Sequence, residues 1–231
     1  MERTTISTTR SLAYSLKMPG NYMVHTDQLK FQYKNKEQLF RFPNITLNEQ
    51  ENLLILGKSG IGKTTLLHLL AGLQKPTEGS IVIDDVQINS LSHAQIDKFR
   101  GQHIGLVFQK SHAITSLNVY DNLKARLFFS KKAVNPKAID FLLEQLDLTE
   151  TKKNKANQLS EGQLQRLGIA LAVVHEPKII LADEPTSNLD DENCNNVLKL
   201  LLKQASINKA NLIVITHDAR IKSAFNNVIT L

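Results

Sequence analysis

At 231 residues and 42% apolar content, the chain is long enough for one sizeable α/β domain and too apolar to be disordered throughout. Its single cysteine, Cys194, rules out a disulfide framework and suits a reducing compartment, and there is no run of about 18 apolar residues to form a membrane-crossing helix. The net charge of +6 comes partly from short clusters at Lys131-Lys132 and Lys152-Lys153 with no interleaved aromatics, which excludes a base-stacking platform and fits a solvated or membrane-facing surface.

The first 22 residues are rich in Ser and Thr, carry Arg3, Arg10 and Lys17 against Glu2, and lack an apolar core of secretory length. Residues 1–24 are expected to be a flexible leader, with Met23 as an alternative start. From Asp27 come short extended segments, "LKFQYK", "QLFRF" and "NITL". "ENLLILG" reads as a buried strand and "KTTLLHLLAGL" as a helix buried on most sides. "QKPTEGS" is expected to turn, "IVIDD" to form a strand, "AQIDKFR" a short helix and "IGLVF" another strand.

The pattern then changes. Residues from about 110 to 158 hold no convincing strand, and "LNVYDNLKARLFF" and "PKAIDFLLEQLDL" have helical spacing. In the second, Ile139, Leu142, Leu143 and Leu146 share a face and Pro136 sits in the first turn, where proline is tolerated. This is a helical insert. After Ser160 the α/β rhythm returns: a helix to about Val174, the strand "KIILAD", a helix from Asp190, the strand "NLIVIT", a short helix "ARIKSAF" and a last strand "NVITL". Alternating strands and helices predict a mostly parallel sheet covered on both faces.

Two stretches carry chemistry. "GKSGIGKTT" (Gly57, Lys58, Ser59, Gly60, Ile61, Gly62, Lys63, Thr64, Thr65) has the phosphate-loop spacing and lies between a strand and a helix. Its glycines allow backbone N–H groups to converge on phosphates at the positive end of a helix. Lys63 adds a point charge, and the Thr64 hydroxyl suits Mg²⁺. "IILADE" ends in Asp183 and Glu184 at the C-terminal end of a buried strand, where open α/β sheets bind ligands. Asp183 suits a metal ion, and Glu184 suits an attacking water. Gln109 and His217 follow two other strands and fall on the same edge; an amide there can ligate metal and sense a γ-phosphate.

Together these residues resemble the ATP-binding cassette (ABC) ATPase family, in order and spacing, from about Asp27 to Leu231. Gln109 matches the glutamine loop, and Leu159-Ser160-Glu161-Gly162-Gln163 the family signature. Ser187-Asn188-Leu189-Asp190 matches the dimer loop and His217 the switch histidine. Tyr33 falls where an aromatic stacks on adenine, with Phe40 and Phe42 as rivals.

The resemblance implies an α/β P-loop NTPase core, a small antiparallel β subdomain on the N-terminal side and the helical subdomain insert, all within residues 25–231. It implies an ATPase binding ATP and Mg²⁺, with Lys63, Gln109, Glu184 and His217 catalytic and Thr64, Gln109 and Asp183 at the metal. It implies a head-to-tail dimer in which the signature acts on the opposite copy. A physical reason is legible: Ser160 can cap the following helix, and Gly162 leaves its N-terminal backbone bare for a phosphate. Integral membrane permease subunits are the implied partners, at the cytoplasmic face of the membrane, with no specific nucleic acid. Length, a short insert and the end after "NVITL" resemble the lipoprotein-releasing, macrolide-exporter and cell-division cassettes. A signalling ATPase that acts on a membrane partner without transport is the alternative. Two departures stand out: Glu161 where the family most often has glycine, and Leu171 where it usually has arginine.

Overall fold

The computed structural model describes residues 22–231 apart from Asn188. The expected leader lies outside them up to residue 21, while Met23 and Val24, placed at its end, are buried in the core.

In chain order the strands are β1 (Val24–Gln32), β2 (Leu39–Arg41), β3 (Thr46–Leu47), β4 (Leu53–Leu56), β5 (Glu78–Ile83), β6 (Val86–Gln87), β7 (Ile104–Val107), β8 (Ile179–Asp183), β9 (Asn211–Thr216) and β10 (Asn227–Thr230). The α-helices are α1 (Lys63–Leu70), α2 (His93–His103), α3 (Val119–Phe129), α4 (Pro136–Gln145), α5 (Glu161–Val173) and α6 (Asp191–Asn208). One sheet is antiparallel, in the order β2-β1-β5-β6 with β3 also pairing β1. The other is parallel at every pairing, in the order β10-β4-β9-β8-β7.

The parallel sheet separates two cores. Strands β4, β7, β8 and β9 are apolar runs with both faces buried, so the pleat sends alternate residues to opposite sides. Ile180, Ala182, Leu212 and Val214 pack with α3, α4, α5 and α6. Ile179, Leu181, Ile213 and Ile215 pack with α1, α2 and the antiparallel sheet. Cys194 is buried in the first of these cores, and burial raises its thiol.

Two expectations shift. "IVIDD" does not continue as a strand through its acids: Asp84 and Asp85 have φ of 51° and 60° and form the two-residue turn between β5 and β6, where both positions need a left-handed backbone. The strand starts earlier instead, at Glu78, inside the expected turn. "ARIKSAF" winds as a 3₁₀ helix, Ala219–Ala224.

Helix α5 lies directly against β7. A Cβ on Gly105 would stand 2.1 Å from the Ala172 carbonyl oxygen and 3.2 Å from Pro177 Cγ. Backbone cannot give way as a side-chain tip can, so Gly105→Ala should cost about 3 kcal/mol or more. Denaturant unfolding of the whole chain measures this, and a loss below about 1 kcal/mol would refute the clash.

Candidate active site

The parallel register brings the strand ends to one edge. Leu56, which leads into the phosphate loop, pairs with Thr216, which precedes His217. Ile215 pairs with Asp183, and Ala182 with Val107, two residues before Gln109. Residues far apart in the chain therefore meet because parallel strands all end on the same side.

In the loop, Gly60 and Gly62 adopt φ of 82° and 107°. Gly62 is doubly constrained, because a Cβ there would also lie 2.6 Å from Phe40 Cδ1. Helix α1 opens directly behind it with no side-chain cap, leaving its N-terminal amides to an anion. Lys58, Ser59, Gly60, Ile61 and Thr64 are exposed, whereas Lys63 and Thr65 are buried. The Lys63 ammonium donates to the carbonyls of Gly57 (2.7 Å) and Lys58 (3.0 Å) and lies 3.4 Å from Glu184 Oε1.

Glu184 sits at φ 48°, just past β8, with its side chain 16% exposed. Its Oε2 accepts from Thr216 Oγ1 (2.7 Å), the His217 amide (3.3 Å) and His217 Nδ1 (2.9 Å). Burial pushes this carboxyl up, but the hydrogen bonds from His217 and Thr216 outweigh it and hold it below the usual range. It is thus an ionised acceptor in the resting chain. Because a carboxylate only accepts, His217 Nδ1 carries a proton, and the imidazole keeps more than half of its surface exposed.

Asp183 contrasts with its neighbour. Burial raises its carboxyl, against a hydrogen bond from Thr64, and the adjacent Glu184 adds to the rise. Thr64 Oγ1 is 3.5 Å from Asp183 Oδ1, and Gln109 is exposed beyond the next strand. Among the described residues no cluster of three His, Cys, Asp or Glu could hold a metal unaided. One carboxylate, one hydroxyl and one amide nevertheless fit Mg²⁺, which is usually held by one or two carboxylates together with substrate phosphates.

The signature segment folds as expected. Ser160 N-caps α5 and accepts from the Gln163 amide (3.3 Å), while Gln163 Oε1 accepts from the Ser160 amide (2.9 Å). Leu159 is buried; Glu161 is exposed in the first turn, where a carboxylate suits the helix dipole. A Cβ on Gly162 would meet only Arg166 Nη1, at 3.9 Å, so that surface is open. Among the described residues no hydrogen bond or ion pair joins Leu159–Gln163 to the phosphate loop. Two residues further along α5, Gln165 Nε2 donates to the carbonyl of Pro185, the residue after Glu184, at 2.7 Å.

Ser187 Oγ donates to the Glu184 carbonyl (2.9 Å) and Asp190 N-caps α6, so the expected dimer loop is anchored at both ends. Asn188 lies outside the described residues, and Leu189 is half-buried. The Tyr33 hydroxyl is 2.9 Å from Thr65 Oγ1, and its ring packs edge-on against Phe31 and Phe40. Of its rivals, Phe42 is buried in the core and Phe40 covers Gly62. Sequence reasoning missed Thr216 and Gln165, since an isolated hydroxyl or amide carries no pattern until the strands are paired.

A parallel sheet carrying a glycine-cradled lysine beside an ionised glutamate is the core of a P-loop nucleoside-triphosphatase, and the capped, open helix end at Ser160–Gly162 fits the cassette class. The sequence profile described as "ABC transporter" matches residues 41–187, and the chain belongs to that family, as an ATP-binding and hydrolysing cassette. Among curated relatives, the lipoprotein-releasing system ATP-binding protein LolD of Buchnera aphidicola subsp. Schizaphis graminum is 37% identical over 193 residues, covering 81% of this chain and 84% of the relative. The LolD protein of Legionella pneumophila strain Paris is 36% identical over 200 residues, covering 85% and 88%. Among solved structures, the dimeric post-hydrolysis cassette MJ0796 bound to ADP and Pi is 34% identical with a TM-score of 0.79, covering 90% of this chain and 94% of that one. The cbiO1 cassette of Clostridium perfringens is 29% identical with a TM-score of 0.80, covering 91% and 85%.

Proposed function

We propose that two copies of this chain close head to tail on two MgATP at the cytoplasmic face of a membrane and drive separate integral membrane subunits. The names of the relatives suggest a membrane partner of the lipoprotein-releasing type. The observation that carries this reading is the division of the site: Lys63, Glu184 and His217 form one cluster, while the open helix N-terminus at Ser160–Gly162 is not connected to the phosphate loop of the same chain. A phosphate held by the cluster of one copy then has the helix end of the other to close on. In this reading Thr64, Asp183 and Gln109 hold Mg²⁺, which offsets phosphate charge. Glu184 accepts a proton from water, His217 orients that carboxylate, and the exposed first-turn amides of α1 with Lys63 bind the phosphates. Tyr33, fixed to Thr65, faces the base.

No helix among the described residues is long and apolar enough to cross a membrane. A groove of about 410 Å³ between β7, α3 and α5 offers the docking place; Leu106, Phe108, Ile114, Phe129 and Leu171 supply its apolar wall. Leu171, where the family usually has arginine, adds to that wall. Affinity purification of the chain from detergent-solubilised membranes should recover an integral membrane protein that raises ATP turnover. Recovery with only soluble proteins or nucleic acid would overturn the reading.

A further inference from the structure

Arg220 belongs to none of the motifs above, yet its guanidinium sits where two segments of the site meet. Nε donates to Asp218 Oδ1 (2.9 Å) and Nη2 to Asp218 Oδ2 (2.8 Å), a two-pronged grip on one carboxylate. The same Nη2 donates to the Leu189 carbonyl (3.2 Å), and Nη1 donates to Asp191. Asp218 directly follows His217, and Leu189 lies in the segment expected to face a second copy. From Asp218 the contacts continue inward: its amide donates to Thr216 Oγ1 (2.9 Å), and that hydroxyl donates to Glu184 Oε2 (2.7 Å). Asp218 Oδ2 also accepts from Thr186 Oγ1 (3.1 Å), two residues past Glu184.

We propose that Arg220 is a positioning residue for hydrolysis: it ties the Leu189–Asp191 segment to the turn carrying His217, and through Asp218 and Thr216 holds His217 and Glu184 in reacting alignment. This rests on the roles proposed above for Glu184 and His217. The Asp218 side chain is 8% exposed, and the hydrogen bond from Arg220 holds its carboxyl down at about 2, so Asp218 is an ionised acceptor at neutral pH. The outward contact to Asp191 is different, because that side chain is 84% exposed and such pairs contribute little. A planar fork is needed, since an ammonium cannot serve both Asp218 oxygens and the Leu189 carbonyl in fixed directions.

The test compares Arg220→Gln, Arg220→Lys and Asp191→Asn in the full chain, reading kcat, KM for ATP and melting temperature. Arg220→Gln should lower kcat about ten- to hundred-fold with KM within about twofold, because a misplaced group costs rate rather than binding. Arg220→Lys should recover part of that loss, and Asp191→Asn should match the wild type. A kcat for Arg220→Gln within about twofold of wild type overturns the proposal, as does a loss that only follows a fall in folded protein. Should Arg220→Gln not fold, Arg220→Lys decides: wild-type kcat overturns the proposal, and a lowered kcat at unchanged KM supports it. Glu184→Gln, assayed in parallel, separates the two levels. If it still turns over ATP, the assignment of Glu184 fails and the role of Arg220 falls with it. If it is inactive while Arg220→Gln is fully active, only the Arg220 proposal fails.

Discussion

Glu184→Gln is expected to lower steady ATP hydrolysis by about 10²- to 10⁴-fold, roughly 3–5 kcal/mol of barrier, while preserving an ATP-stabilised pair of chains. The hydrogen bonds from Thr216, the His217 amide and His217 Nδ1 all end on one carboxylate oxygen, and Lys63 approaches the other. A carboxylate satisfies both sides because it only accepts, and it stays ionised to take a proton. An amide can turn its oxygen to one side only, so either Lys63 or the Thr216–His217 side faces an N–H₂ group. Size-exclusion chromatography with MgATP should show a species of twice the monomer mass for this variant, since ATP bound between two copies is not consumed. Unchanged turnover would remove Glu184 from the chemistry.

Lys63→Ala should have the second large effect, and on a different quantity. Truncating a hydrogen-bonded, buried charge that faces a phosphate typically costs about 2–5 kcal/mol of binding, on the order of thirty- to several-thousand-fold in the Kd for ATP. The effect on the folded chain is separate. Lys63 is only 6% exposed, so folding bears the cost of taking an ammonium out of water. Its bonds to the Gly57 and Lys58 carbonyls and its contact with the Glu184 carboxylate offset that cost, and in the variant all three acceptors lose their cation. The variant should therefore melt at or below the wild-type temperature without nucleotide and show little stabilisation on adding ATP, where the wild type gains. Equal stabilisation of both proteins by ATP would contradict the role given to Lys63.

Much of the fold was legible because strands such as Ile179–Asp183 and Asn211–Thr216 are apolar runs of strand length between glycine, proline and polar punctuation. The phosphate loop and the α5 cap were legible for a related reason: glycines at left-handed positions and a Ser-x-x-Gln box act within a few residues of themselves. Strand limits were less so. The Asp84-Asp85 turn depends on left-handed backbone at two acids, which an alternating pattern does not announce. Phe40 and Phe42 could not be told apart by sequence, because which of them covers Gly62 and which enters the core depends on how the antiparallel sheet packs beside the loop.

The sequence by itself determined which residues are proposed for phosphate, metal and water, since each motif stores its chemistry in adjacent residues. Only the tertiary structure decided what state those groups are in. Asp183 and Glu184 are neighbours of like charge, yet burial raises one while convergent donors from His217 and Thr216, at the end of β9, lower the other. Those donors lie about thirty residues away, and so does the Arg220 contact to Leu189. Such contacts exist only once parallel strands have placed their C-terminal ends side by side, because a hydrogen bond is decided by distance and direction in space rather than by order along the chain.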